Sequence, residues 1–182
     1  FNNDLGSNFT PVSNRFGSVV EAATSVWEQS DGAFDVTVGP LVNLWGFGPA
    51  DSGDFPSSAA QTAAFASVGM QNLELQRTRE GSVEVFSVRK NVPGLYVDFS
   101  ALAKGLGVDE VAQSLVALGC GDFMVDIGGE VRTMGLSPKA RPWRIGIEAP
   151  DATRRGIIQR VLQLTNQSVA TSGDYRNFRV VD

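Results

Sequence analysis

The chain has 182 residues, 42% apolar and 19% charged, with a formal net charge of −5. That length and balance predict one domain or two small ones with a sizeable core, and the acidic sum argues against a general nucleic-acid surface, which needs clustered Lys and Arg. The chain has no histidine, which removes Ser-His-Asp triads, His general bases and His-ligated zinc or iron, and a lone Cys120 removes intrachain disulfides and CxxC pairs.

Taken in chain order, Ser13 reads as an N-cap. Phe16, Val19, Val20, Ala23, Val26 and Trp27 then follow at helical spacing, and Gly32 suits the end. Residues 49–57 are a turn-rich loop with two prolines, and the Ala-rich stretch from Ser57 to Val68 predicts a short helix stopped by Gly69. Short β-like runs come next at 72–76, 82–88 and 94–98, with turns at Glu80-Gly81 and Asn91-Val92-Pro93-Gly94. A further helix is expected over roughly 101–118, with Leu102, Leu106, Val111, Leu115 and Leu118 along one face. Cys120, between Gly119 and Gly121, reads as a small buried filler. Period-two alternation then marks Phe123, Val125, Ile127 and Trp143, Ile145, Ile147 as strands, with further strands at 156–165 and 176–181. The fold class is α+β with mostly antiparallel strands. No run of about 18 apolar residues is present, so no stretch reads as a membrane-spanning helix.

Four segments carry candidate chemistry. In 32–48, glycines and the aromatics Phe34, Trp45 and Phe47 surround Asp35, and the segment reads either as the wall of a flat-ligand pocket or as a core-lining loop. In 98–112, a β-run ends at Asp98, Ser100 is a plausible N-cap, and Lys104 falls in the first turn of an apolar helix. A cation there opposes the helix dipole, and an anion resolves the conflict, so this is a candidate phosphate site, though without the P-loop order of residues. The alternative is a solvent-facing lysine. Asp98 can meet a ligand hydroxyl or a Mg²⁺-bound water, or cap nearby amides. In 125–135, Gly128-Gly129 reads as a hairpin turn, with Asp126 and Glu130 as a weakly supported carboxylate pair. In 169–178, Thr171, Ser172, Gly173, Asp174, Tyr175 and Arg176 form either a polar binding loop or a turn.

The stretches GAFDVTVGPLVNLWGFGP (32–49), YVDFSALAKGLGVDEVA (96–112), VDIGGEV (125–131), WRIGIEAP (143–150) and VATSGDYRNF (169–178) resemble, in order and spacing, the ApbE family of FAD:protein FMN transferases, once called thiamine biosynthesis lipoproteins. The resemblance runs from about residue 8 to the end. It implies a two-lobed, T-fold-like α+β domain over residues 1–182, with mostly antiparallel sheets flanked by helices and FAD between the lobes. It further implies Mg²⁺-dependent transfer of FMN from FAD to a Thr or Ser hydroxyl of a target flavoprotein, such as a subunit of a membrane redox complex, with release of AMP. Some relatives instead hydrolyse FAD to FMN and AMP, and a third reading is a non-catalytic FAD-binding domain.

By matching position, the resemblance assigns Ala33, Phe34 and Asp35, together with Asp98 and Lys104, to FAD contact, and Ala101, through its backbone carbonyl, to the metal. The family's pattern continues with a Ser-His-Ile-x-Asp-Pro-like motif and a segment whose Asp and Thr complete the metal site, and other flavin contacts precede it. Neither part matches within these residues, so the chain is expected to be a partial copy, with its catalytic residues unassigned. The implied location is the periplasmic face of a bacterial inner membrane, by a lipid anchor.

Overall fold

The computed structural model describes residues 1–3, 6–49, 55–151, 156–173 and 178. They fall into two units, Phe1–Ser100 and Ala101–Asp182, each with its own antiparallel sheet structure.

In the first unit, β1 (Thr10–Val12) leads into α1 (Asn14–Gln29), whose N-cap Ser13 accepts from the Phe16 amide as the sequence predicts. Two short helices follow, α2 (Gly39–Leu44) and α3 (Ser58–Phe65), the latter capped by Ser57. After a 3-10 turn at Met70–Asn72, β2 (Leu73–Glu80) and β3 (Val83–Lys90) form a hairpin closed at Gly81 and Ser82, and the sheet order is β1-β3-β2. Alternation on β3 turns Phe86, Val88 and Lys90 inward. Helix α1 packs against this sheet through Gly17, Val20 and Ala23; a Cβ on Gly17 would sit 2.3 Å from the Phe86 ring. Buried Lys90 donates to the carbonyls of Phe1 and Asn2, at 3.0 and 3.4 Å, and lies over the Phe1 ring.

The second unit is introduced by α4 (Ser100–Ala117), then β4 (Phe123–Ile127), β5 (Glu130–Met134), β6 (Trp143–Glu148), β7 (Ile158–Leu164) and β8 (Ser168–Val169). Its sheets are β4-β5-β8 and the pair β6-β7, every ladder antiparallel. Val108 and Ala112 of α4 pack on Phe123 and Val125 of β4, with Leu115 and Met134 alongside.

The structure departs from the sequence reading at several points. Residues 94–98 are not a strand: Tyr96 makes one parallel bridge to Val38, while the Asn2 side-chain amide both donates to the Val97 carbonyl and accepts from its N–H, so neither group is available to a ladder. Segment 32–48 contains α2, which has Pro40 in its first turn. The face of α4 turned to its sheet is the 108–112–115 stripe. Of the expected face, Leu115 belongs to this stripe, whereas Val111 is exposed, and Leu118, just past the end of the helix, is 79% exposed. Cys120 is exposed rather than buried, since the chain leaves the helix at Gly119 in a left-handed conformation. Strands β1 and β8 were not anticipated. The strand expected at 176–181 lies outside the described residues, Phe178 apart.

Candidate functional site

Both amides at the front of the Ala33–Phe34–Asp35 run are engaged: the Ala33 N–H donates to the Ser30 carbonyl, at 3.1 Å, and the Phe34 N–H to the Ser30 hydroxyl, at 3.0 Å. The Asp35 carboxylate is turned inward on the protein itself. Its Oδ1 accepts from the Thr37 N–H and hydroxyl at 2.7 and 2.5 Å, and its Oδ2 from the Met70 N–H at 3.2 Å. Thr37, fully buried, in turn accepts from the Gly69 N–H at 2.6 Å. Asp35 therefore staples the 35–37 turn to the 69–70 turn. The run also carries its carbonyl oxygens and the half-buried Phe34 ring. Trp45 packs edge-on to Phe55, with ring centroids 6.3 Å apart.

Close backbone packing fixes Asp98. Its N–H donates to the Val36 carbonyl at 2.7 Å, next to the Val38–Tyr96 bridge. That approach requires Gly39, where a Cβ would meet the Tyr96 carbonyl oxygen at 2.7 Å. Asp98 Oδ1 accepts from both the N–H, at 2.8 Å, and the hydroxyl of Ser100. Ser100 is thus the first residue of α4, held by Asp98, and not the cap itself.

In the second unit, Lys104 is the fifth residue of α4 and continues the 108–112–115 stripe back by one turn, toward the sheet. Its ammonium lies 2.7 Å from Glu130 Oε2, an ion pair rather than an aligned hydrogen bond, and donates to the Gly128 carbonyl at 3.1 Å. The Lys104 side chain is 48% exposed and that of Glu130 17%. One turn on, Asp109 pairs with Arg132 at 2.6 Å. The anion that answers the misplaced helix-start lysine is therefore, in the protein itself, Glu130. An ammonium has three donors, so two such contacts leave one for a ligand.

The Asp126–Glu130 carboxylate pair is not formed. Gly128 and Gly129, at φ +60 and +95, make a two-residue hairpin turn pairing Ile127 with Glu130 and Asp126 with Val131. The two carboxylates project to opposite faces, and Asp126 caps the turn by accepting from the Gly129 N–H. Thr171, Ser172 and Gly173 are exposed, and Asp174, Tyr175 and Arg176 lie outside the described residues.

No complete magnesium site assembles among the described residues. Mg²⁺ takes six oxygens; Ala101 supplies a single carbonyl oxygen in the first turn of α4, and no group of three Asp, Glu or Cys with suitable spacing exists among the described residues.

Two units of antiparallel sheet and helix, with a lysine–glutamate pair at the start of a helix, define an α+β protein. The ApbE family model matches residues 1–182, and the chain belongs to that family. It is 43% identical over 179 residues to an FAD:protein FMN transferase of Vibrio cholerae, covering 98% of this chain and 51% of that protein. To the Escherichia coli K12 protein of the same name it is 32% identical, covering 100% of this chain and 51% of that one. The solved structure of the flavin transferase ApbE from Vibrio cholerae superposes with a TM-score of 0.84 at 41% identity, covering all of this chain and 56% of that one. The Thermotoga maritima ApbE protein gives 0.81 at 32%, with the same coverage. The chain spans about half the length of the relatives it matches.

Proposed function

We propose that this chain takes part in flavin transfer, with FAD as the flavin donor and a flavoprotein as the acceptor. The likeness over the whole chain to proteins named FAD:protein FMN transferase carries the reading. In this reaction a Thr or Ser hydroxyl oxygen of the acceptor bonds to the FMN phosphorus, the pyrophosphate P–O bond breaks, AMP leaves, and the hydroxyl proton passes to solvent or leaving group. Lys104 meets the pyrophosphate and offsets charge as that bond breaks. The Ala33–Phe34–Asp35 backbone and Asp98 contact the nucleotide, with Asp35 acting through the turn it holds.

Magnesium dependence belongs to the same proposal, with Ala101 giving a carbonyl ligand, and no step is routed through the metal. The acceptor is proposed to be a subunit of a membrane redox complex, and the location the periplasmic face of a bacterial inner membrane by lipid anchoring. No helix among the described residues is long and apolar enough to cross a membrane.

Incubation of the protein with FAD, Mg²⁺ and an acceptor carrying Thr or Ser, read by intact mass and nucleotide chromatography, tests the function. Flavinylated acceptor with AMP is expected. Free FMN with AMP would assign FAD hydrolysis instead, and unchanged FAD would leave a binding role only.

A further inference from the structure

Lys104 faces a carboxylate more deeply buried than itself. Glu130 Oε2 is shielded from solvent and sits 2.7 Å from the ammonium, while the lysine remains half exposed. An uncompensated charge at the shielded oxygen is costly, so the ammonium is favoured where Glu130 sits. The Gly128 carbonyl gives a second fixed point, at 3.1 Å, and the Lys104 stem crosses the turn closely: a Cβ on Gly128 would lie 3.1 Å from Lys104 Cδ. The turn and the strand residue after it therefore form a seat for the lysine.

We propose that Glu130 is a positioning residue that orients Lys104 and, by its charge, sets how strongly the pair attracts a pyrophosphate. The inference rests on the reading that Lys104 meets the FAD pyrophosphate. Two effects of opposite sign act through one side chain. The oxygen of Glu130 aims the ammonium, which favours binding. Its negative charge repels the phosphates, which opposes binding and screens the lysine's field.

Substitution separates them. Glu130→Gln keeps an oxygen acceptor and removes the charge, and FAD is expected to bind about three- to tenfold more tightly, an advantage that shrinks with added salt. Glu130→Asp keeps the charge but withdraws the carboxylate by one methylene, and FAD binding is expected to weaken. Riboflavin, which has no phosphate, is expected to bind all three proteins alike.

Equilibrium titration of the full chain with FAD and with riboflavin, at low and high salt, reads these effects, with Lys104→Ala alongside. A Glu130 that only supports the fold would lower the unfolding temperature in both variants and leave FAD affinity unmoved, which overturns the proposal. Weaker FAD binding by Glu130→Gln, or unchanged binding by Glu130→Asp, overturns it as well. If Lys104→Ala weakens FAD binding while Glu130→Gln does not tighten it, this inference alone falls. If Lys104→Ala leaves FAD affinity unchanged, the phosphate role of Lys104 falls and takes the inference with it.

Discussion

Two carboxylates, one in each unit, are used in opposite ways. In the first, Asp35 is closed on itself: three donors from Thr37 and Met70 surround its carboxylate, and Thr37 behind it is fully buried. In the second, Glu130 faces a half-exposed cation with a donor to spare. One carboxylate gives three of its acceptor positions to holding turns together; the other pairs with a cation that is still half exposed. Residues singled out by the same motif logic thus differ in what their side chains hold: a pair of turns in one case, an exposed cation in the other.

The sharpest break of that contrast is Asp35→Ala. It strands buried donors at Thr37 and Met70, and a stability loss of about 3 kcal/mol is expected by denaturant unfolding. A loss under about 0.5 kcal/mol would show that the staple does not hold the turns. Next comes Gly39→Ala, whose new methyl meets the Tyr96 carbonyl; about 2 kcal/mol is expected in the same assay, with overpacking as the cause. Asp98 tests both roles in one residue. Asp98→Ala removes the acceptor at the start of α4 and is expected to cost about 1 kcal/mol, whereas Asp98→Asn keeps it. Weaker FAD quenching of tryptophan fluorescence in Asp98→Asn, with stability retained, would mark Asp98 as a ligand contact.

The smallest effect concerns an exposed pair in the first unit. Hydrogen bonds from Asn91, and then from Arg89, hold the Glu74 carboxyl below its ordinary value. A lowered carboxylate contributes stability that is present above its unfolded value and lost as pH falls through the folded one. An NMR titration should therefore find Glu74 titrating lower in the native protein than in Asn91→Ala. Identical midpoints would remove Asn91 as the cause.

Much of the fold was legible because its signals are local. Ser13 and Ser57 cap their helices, Gly128-Gly129 turns its hairpin, and alternation over 123–127 and 143–147 marks strands. What the sequence concealed was long-range. Val97 looks like strand, and only the Asn2 side chain, 95 residues away, takes its backbone groups out of a ladder. Lys104 stood out as an oddity at a helix start, but its partner is a strand residue beyond a turn. Two spacings did point there: 104–108–112–115 is a helical stripe, and alternation puts Glu130 on the face that pairs with Ile127. Leu115 belongs to the first, but Val108 and Ala112 carry most of it, and Asp126 stands nearer to Glu130 in the sequence than Lys104 does.

The central claim is that Lys104, seated on Glu130 and Gly128, is the group that meets the FAD pyrophosphate. Equilibrium titration of wild type and Lys104→Ala with FAD, both checked for folding by thermal unfolding, tests it most directly. The account predicts FAD binding weakened by about 1–3 kcal/mol, the scale of a charged hydrogen bond, with riboflavin binding unchanged. Equal FAD affinity in two equally folded proteins would contradict it.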